Sequence, residues 1–186
     1  MAAALLFCGA AAAQPASERF AACLACHGER GVSTLALTPS LAGQHSFYAI
    51  TQLFLFREGR RASEAMTAVA KGMSDADLRA FSDLISKLPA STAVPGGADA
   101  QRMTRGAALA QRLRCGSCHG ATYAGGQQVP RVGNQREDYL GKSLSEFRAG
   151  TRVGYTSAMA EALAGTTADE LGDLAHYLAH FTTVTP

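Results

Sequence analysis

Cys23-Leu24-Ala25-Cys26-His27 is the stretch that decides the fold, and it returns as Cys115-Gly116-Ser117-Cys118-His119. On a helix, two cysteines three positions apart and a histidine directly after the second share one face. That is the arrangement c-type haem attachment requires. The two thiols can be alkylated by the vinyl groups along one porphyrin edge, and the imidazole then lies under the iron as an axial ligand. A redox-active dithiol would need a strand–helix–strand setting, which the sequence lacks. A zinc site would leave the pattern downstream of the two histidines unexplained. Two covalently bound haem c groups are therefore expected, held through Cys23, Cys26, His27, Cys115, Cys118 and His119.

Working outward from the motifs, the chain repeats itself. Cys23 and Cys115 are 92 positions apart. Pro39 and Pro130, Gln44 and Gln135, Tyr48 and Tyr139, Leu53 and Leu144, Phe56 and Phe147, Arg57 and Arg148, and Gly59 and Gly150 are each 91 apart. Met66 and Met159 are 93 apart, so small loop changes separate two versions of one fold. Each half reads as three helices. The first spans 17–27 and, in a longer version, 99–118. The second spans 46–58 and 137–149, with Ala49, Leu53 and Phe56 matched by Leu140, Leu144 and Phe147 on one face. Gly59 and Gly150 stand where a C-cap belongs. The third begins at the capping-box pairs Ser74/Asp77 and Thr167/Glu170, continues through the stripes Leu78, Phe81, Ile85, Leu88 and Leu171, Leu174, Leu178, Phe181, and in the first half stops at Pro89. No stretch alternates as a strand would.

Four segments follow: a signal peptide over 1–16, a first domain over 17–88, a linker over 89–98 and a second domain over 99–186. The linker is the one Pro/Gly/Ser-rich stretch without helical period. The leader is apolar, ends on Ala11-Ala12-Ala13 before Gln14, is too short to span a bilayer and lacks a basic start. Cys8 weakly resembles a lipidation site, but Phe7 before it disfavours a lipid anchor. Export to the periplasm is the expectation either way. Each domain is small enough to bury little apolar surface unaided, so fold and haem are expected to be inseparable.

Composition narrows the function. Hydrophobic residues make up 47 % and charged residues 17 %, and the formal net charge is +2, spread evenly over both halves. That balance excludes nucleic acid as a partner.

The second axial ligand separates a closed electron-transfer site from an open catalytic one. Met66 follows His27 by 39 positions and Met159 follows His119 by 40. A thioether is a soft ligand for haem iron, and His/Met pairing raises the reduction potential. Core filling is the other use of a lone methionine, but two at matching repeat positions point to ligation. Met73 has Thr166 as its counterpart and reads as packing. His45 faces Arg136 in the repeat and reads as lying outside the shared machinery. His176 and His180 could form a surface metal pair, and a solvated or partly buried face is the reading preferred. Arg57 and Arg148 suit a solvated face, a docking patch or propionate neutralisation. Arg102, Arg105, Arg112 and Arg114 read as a solvated helix face.

These residues, with Pro39-Ser40-Leu41-Ala42-Gly43-Gln44-His45, Phe56-Arg57-Glu58-Gly59, Phe147-Arg148-Ala149-Gly150 and Met66 with Gly72 and Ser74-Asp75, closely resemble the dihaem cytochrome c4 family over about 17–186. Val132-Gly133-Asn134 departs from the Leu-Ala-Gly form, and no proline adjoins Met66. The resemblance implies an all-α fold of two tandem class-I cytochrome c domains, each with one His/Met haem and with the haem edges close. It implies that the carbonyls of Pro39 and Pro130 orient the proximal histidines. It implies a periplasmic one-electron carrier of a respiratory chain, fed by a quinol-oxidising complex or a dehydrogenase and emptied by a terminal oxidase, with room for peripheral membrane association. The alternative is the dihaem subunit of a periplasmic dehydrogenase, such as a flavocytochrome c sulfide dehydrogenase. An enzyme in its own right would need an exchangeable ligand at one haem.

Overall fold

The computed structural model describes residues 14–92, 97–152 and 157–182 of the 186-residue chain. The leader up to Ala13, including Cys8 and the cleavage site, and the middle of the linker lie outside the described residues. Nine helices follow in order among the described residues: α1 (Ala16–His27), α2 (Ser46–Arg57), α3 (Glu64–Ala70), α4 (Asp75–Ser86), α5 (Ala100–Arg112), α6 (Gly116–His119), α7 (Glu137–Arg148), α8 (Ala158–Ala162) and α9 (Ala168–Ala179). Strand structure among them is limited to one isolated bridge, Gly126 to Val129. No described helix is long and apolar enough to cross a membrane.

The halves have the same plan. In the first, α1 and α2 pack on α4; in the second, α5 and α7 pack on α9. The apolar stripes expected from the sequence face inward and make two separate cores. One joins Phe20, Ala49, Leu53, Leu78, Phe81 and Ile85, with the Phe20 and Phe81 rings stacked at 6.3 Å. The other joins Leu109, Leu140, Leu144, Leu163, Leu171, Leu174 and Leu178. No residue belongs to both cores.

Both capping boxes form. The Ser74 side chain accepts from the Asp77 N–H, the Thr167 side chain accepts from the Glu170 N–H, and each acid returns the bond. Gly59 and Gly150 close α2 and α7 with φ of 63° and 67°.

The structure corrects the expected elements in three places. The long helix over 99–118 is broken. Arg114 adopts a left-handed φ of 55°, so α5 ends at Arg112 and the second motif sits on its own short turn, α6. Each half also has a short helix that was not expected, α3 and α8, carrying Met66 and Met159. These have seven and five residues, too few for an apolar period to show in sequence. Finally, α4 ends at Ser86, ahead of Pro89. The residue before a proline is driven out of the helical region, and Lys87 and Leu88 close the last turn onto Leu84 and Ile85.

The solvated face of α5 also carries ion pairs to α9. Arg102 and Arg105 both reach Asp173 on α9, and Arg112 reaches Glu170. Pairs this exposed add about 0–1 kcal/mol each. The closeness of α5 and α9 depends more on Gly106. A Cβ there would lie 2.3 Å from the Asp173 carbonyl oxygen and 2.5 Å from Tyr177 Cβ.

This packing sets two expectations for stability. Gly106→Ala should destabilise the protein by about 2 kcal/mol or more, measured by urea unfolding, whereas Gly141→Ala, whose Cβ meets nothing within 4 Å, should be neutral or stabilising. The Asp77 carboxyl is held down to about 2, from 3.8, chiefly by the Arg19 guanidinium and then by the Ser74 N–H and hydroxyl. A depressed carboxylate stabilises the fold above its unfolded pKa, and that contribution disappears as pH falls through the folded value. The stability advantage of the natural protein over Asp77→Asn should therefore be full at pH 5 and shrink between about pH 4 and pH 2, as read from urea midpoints across that range.

Candidate haem-binding sites

The first motif ends α1, and the second forms the short turn α6 with Cys115 at its N-cap. In α1, Cys23 is half-buried, Cys26 exposed and His27 buried; Cys115, Cys118 and His119 repeat this pattern. Cys23, Cys26, Cys115 and Cys118 form no disulfides. Burial pushes the Cys23 and Cys115 thiols up.

The chain must turn sharply after each histidine. Gly28 and Gly120 do this with φ of 87° and 78°. At Gly28 a Cβ would lie 2.0 Å from the Val32 carbonyl oxygen. The loop then folds back under the helix. The Ser33 hydroxyl donates to the Cys26 carbonyl at 3.1 Å, and the Leu41 and Ala42 N–H groups donate to the Gly31 carbonyl. Val132 and Gly133 close on Tyr123 in the same way. Tyr123, where the first half has Gly31, accepts a left-handed φ of 53° and is held by edge-on contacts with Tyr177 and Phe181.

These loops deliver the proline carbonyls. Pro39 O lies 2.8 Å from His27 Nδ1, and Pro130 O lies 2.9 Å from His119 Nδ1. A carbonyl can only accept, so Nδ1 carries the proton and the lone pair is on Nε2. Burial pushes both imidazoles toward the neutral form, partly offset by the carbonyl contact. A buried neutral imidazole with Nδ1 fixed and Nε2 available is the form that ligates a metal. Two free thiols on the same face complete a donor set that fits a covalently attached haem.

Met66 and Met159 are half-buried against the first and second cores. Ser63 accepts from the Met66 N–H at 3.3 Å and fixes the start of α3. Met73 packs on the first core. Its carbonyl accepts from Arg57 Nη1 at 3.2 Å, as the Thr166 carbonyl accepts from Arg148 Nη1 at 3.0 Å. Arg57 and Arg148 thus tie the ends of α2 and α7 to the residues just before the N-caps of α4 and α9.

The sequence reading expected the haem edges to lie close but did not identify the residues that join the halves. Gln135 Oε1 accepts from the Ser40 N–H at 2.8 Å, and Gln135 Nε2 donates to the Ser40 carbonyl at 2.8 Å. Gln44 does the same to Arg131, at 2.9 and 3.2 Å. Arg61 reaches the Tyr139 hydroxyl at 2.6 Å, and Arg152 the Tyr48 hydroxyl at 3.2 Å. His45 Nε2 lies 2.8 Å from the Ala124 carbonyl oxygen, and Arg136 donates to the Ser33 carbonyl at 3.1 Å. Every one of these pairs maps onto its mirror by the 91-position offset. His45, which the repeat alone places outside the shared machinery, does the same work as Arg136. The signal was present in the repeat, as Gln44/Gln135 and Tyr48/Tyr139 at one shared offset.

His176 is buried, not solvated. Its Nε2 accepts from the Asp99 N–H at 2.9 Å and its Nδ1 faces Glu137 Oε2 at 2.9 Å. His180 lies beside it. These three side chains bring ligand-type atoms within 4.8 Å of one another, but Arg102 sits 3.2 Å from His176 Nδ1 and 2.9 Å from Glu137. A guanidinium already occupies the place of a cation, and the cluster ties α5, α7 and α9 together.

Comparison with known proteins agrees with this geometry. The cytochrome c family profile matches residues 103–182. Cytochrome c4 of Thiocapsa roseopersicina is 33 % identical over 167 residues, covering 84 % of this chain and 85 % of the relative. A protein described as a thiosulfate dehydrogenase electron acceptor, from Stutzerimonas stutzeri, is 32 % identical over 140 residues, covering 70 % of this chain and 65 % of the relative. The crystal structure of reduced recombinant cytochrome c4 from Pseudomonas stutzeri superposes with a TM-score of 0.82 at 27 % identity, covering 90 % of this chain and 97 % of that one. With its two all-helical tandem halves, the chain belongs to the cytochrome c4 family, as a dihaem electron carrier with covalently bound haem c and not an enzyme.

Proposed function

We propose that this protein is an exported, periplasmic one-electron carrier of a respiratory chain, with both irons closed by a histidine and a methionine. Cys23, Cys26, His27 and Met66 serve the first domain, over 17–88. Cys115, Cys118, His119 and Met159 serve the second, over 99–186, beyond a linker at 89–98. The observation that carries this reading is the repeated hydrogen bond from histidine Nδ1 to a proline carbonyl, at 2.8 and 2.9 Å, which leaves Nε2 as the ligand atom in both halves.

Bound haem supplies the iron(III)/iron(II) couple. The residues do the rest. His27 and His119 are fixed in tautomer and orientation by Pro39 and Pro130. Met66 and Met159 bring a soft donor out of an apolar core, which favours the reduced state and excludes water. Helices packed this closely move little when the charge on the iron changes. Residues 1–16, as a cleaved leader, place the chain where haem attachment occurs. The donor is a quinol-oxidising complex or a dehydrogenase and the acceptor a terminal oxidase.

The name of the Stutzerimonas stutzeri relative supports a second reading of the partner, in which the protein takes electrons directly from a periplasmic sulfur-compound dehydrogenase. Transfer between purified proteins tests that donor: rapid reduction by such a dehydrogenase supports it, and reduction only by a quinol-oxidising complex overturns it.

The mature holoprotein should weigh two haems more than its peptide. Met66→Ala should lower the potential of one haem and let carbon monoxide or cyanide bind there, while Met73→Ala should do neither. Spectroelectrochemical titration and ligand-binding spectra check both outcomes, and unchanged spectra in Met66→Ala would overturn the ligand assignment.

A further inference from the structure

The interdomain glutamines hold more than the interface. Pro39 C=O and Ser40 N–H belong to one peptide group. Its oxygen lies 2.8 Å from His27 Nδ1, and its N–H donates to Gln135 Oε1 at 2.8 Å. Pro130 C=O and Arg131 N–H likewise form one peptide group, 2.9 Å from His119 Nδ1 at one end and 2.9 Å from Gln44 Oε1 at the other. Each histidine is therefore linked, through a single peptide, to a glutamine of the opposite half. Gln44, Gln135 and Ser40 are buried, so water is poorly placed to substitute for the amide. Each glutamine is also bidentate, its Nε2 returning a bond to the carbonyl of the same residue, which fixes its register.

A peptide is a conjugated unit. Engaging its N–H makes its carbonyl a better acceptor, and hydrogen-bond chains strengthen one another by about 10–30 % per bond. A stronger acceptor at Nδ1–H gives the imidazole more imidazolate character. That makes Nε2 a stronger donor and favours iron(III).

We propose that Gln135 and Gln44 are cross-domain positioning residues. Gln135, in the second half, sets the basicity of His27 and thereby lowers the reduction potential of the first haem; Gln44, in the first half, does the same for His119 and the second haem. The inference rests on the histidine ligation proposed above. It gives the interface a redox consequence: the potential of each haem depends on a residue of the opposite half.

The test uses the full holoprotein, with each haem assigned by NMR and its potential followed in an NMR-monitored redox titration. Gln135→Leu should raise the reduced-to-oxidised ratio of the haem on Cys23 and Cys26 by up to tenfold at fixed potential (59 mV for one electron). It should also move the His27 Nδ1–H resonance upfield, and change the haem on Cys115 and Cys118 less than twofold. Gln44→Leu should give the mirror image. Gln135→Glu, which keeps an acceptor for the Ser40 N–H, should return the His27 Nδ1–H resonance toward its natural position, and it carries the test alone where the leucine variant does not assemble. A response of the haem in the same half as the substituted glutamine, equal shifts of both haems, or no shift of either would overturn the proposal. The methionine–iron(III) band at the red edge of the spectrum separates this from failure of the ligation itself. If that band is absent from the natural protein, the ligand assignment is wrong; if it is present in natural protein and variants alike while the potentials do not cross over, only the glutamine role is wrong.

Discussion

An imidazole that is to hold a metal through one nitrogen must have its other nitrogen held by the protein, or ring orientation and tautomer are left free. The contacts from His27 to Pro39 and from His119 to Pro130 meet that requirement, and much of each half is arranged to deliver them. The glycine after each histidine lets the chain reverse. The closures onto Gly31 and Tyr123 shape the returning loop. The end of that loop is then braced on the other half through Ser40 and Arg131. A carbonyl placed by a free surface loop would wander; this one is fixed at both ends of its peptide.

That bracing explains why the two halves share hydrogen bonds instead of a core. Their apolar clusters are disjoint, and domains this small are marginal alone. Extra apolar burial between them would add stability without specifying register. The reciprocal pairs specify it. As in a two-fold dimer, where residue i meets j and j meets i, Gln44 meets Arg131 while Gln135 meets Ser40. The partners on the receiving side are backbone groups, so the contact survives substitution of their side chains. The same tolerance lets a histidine at position 45 and an arginine at position 136 play equivalent parts, since each puts a ring or guanidinium N–H on a carbonyl across the interface.

Much of the architecture was legible in the sequence because the strongest signals are local and doubled. The two motifs, the inward stripes of α2, α4, α7 and α9, both capping boxes and the glycine C-caps all reappear in the structure. What was not legible has physical reasons. α3 and α8 are shorter than the window in which an amphipathic period can be recognised. The break at Arg114 depends on a left-handed residue that is not glycine, for which no residue type is diagnostic. The pairing of the α5 arginines with α9 needs the crossing of two helices from opposite ends of a domain. The interface was hidden for a different reason. Its residues stood out as repeat markers, but a repeat marker does not say whether it is retained for the inside of each copy or for the contact between copies. Only the fold shows that Leu53 and Leu144 do the first and Gln44 and Gln135 the second.

The repeat also shows where sameness stops. Gln44, Tyr48 and Arg61 at the interface and Leu53 and Phe56 inside recur at the 91-position offset as Gln135, Tyr139, Arg152, Leu144 and Phe147, whereas several exposed positions of the first half do not recur. Phe47 and Phe54 are exposed on α2 at 57 % and 39 %, and their counterparts on α7 are Asp138 and Ser145. Val69, exposed on α3 at 54 %, has Ala162 as its counterpart on α8. Among the described residues every exposed large hydrophobic lies in the first half. A carrier must accept an electron from one protein and give it to another. Two chemically identical ends would present both partners with the same surface. Divergence on the outside, with matching ligand loops inside, gives the molecule two distinguishable ends without altering the machinery that holds either haem.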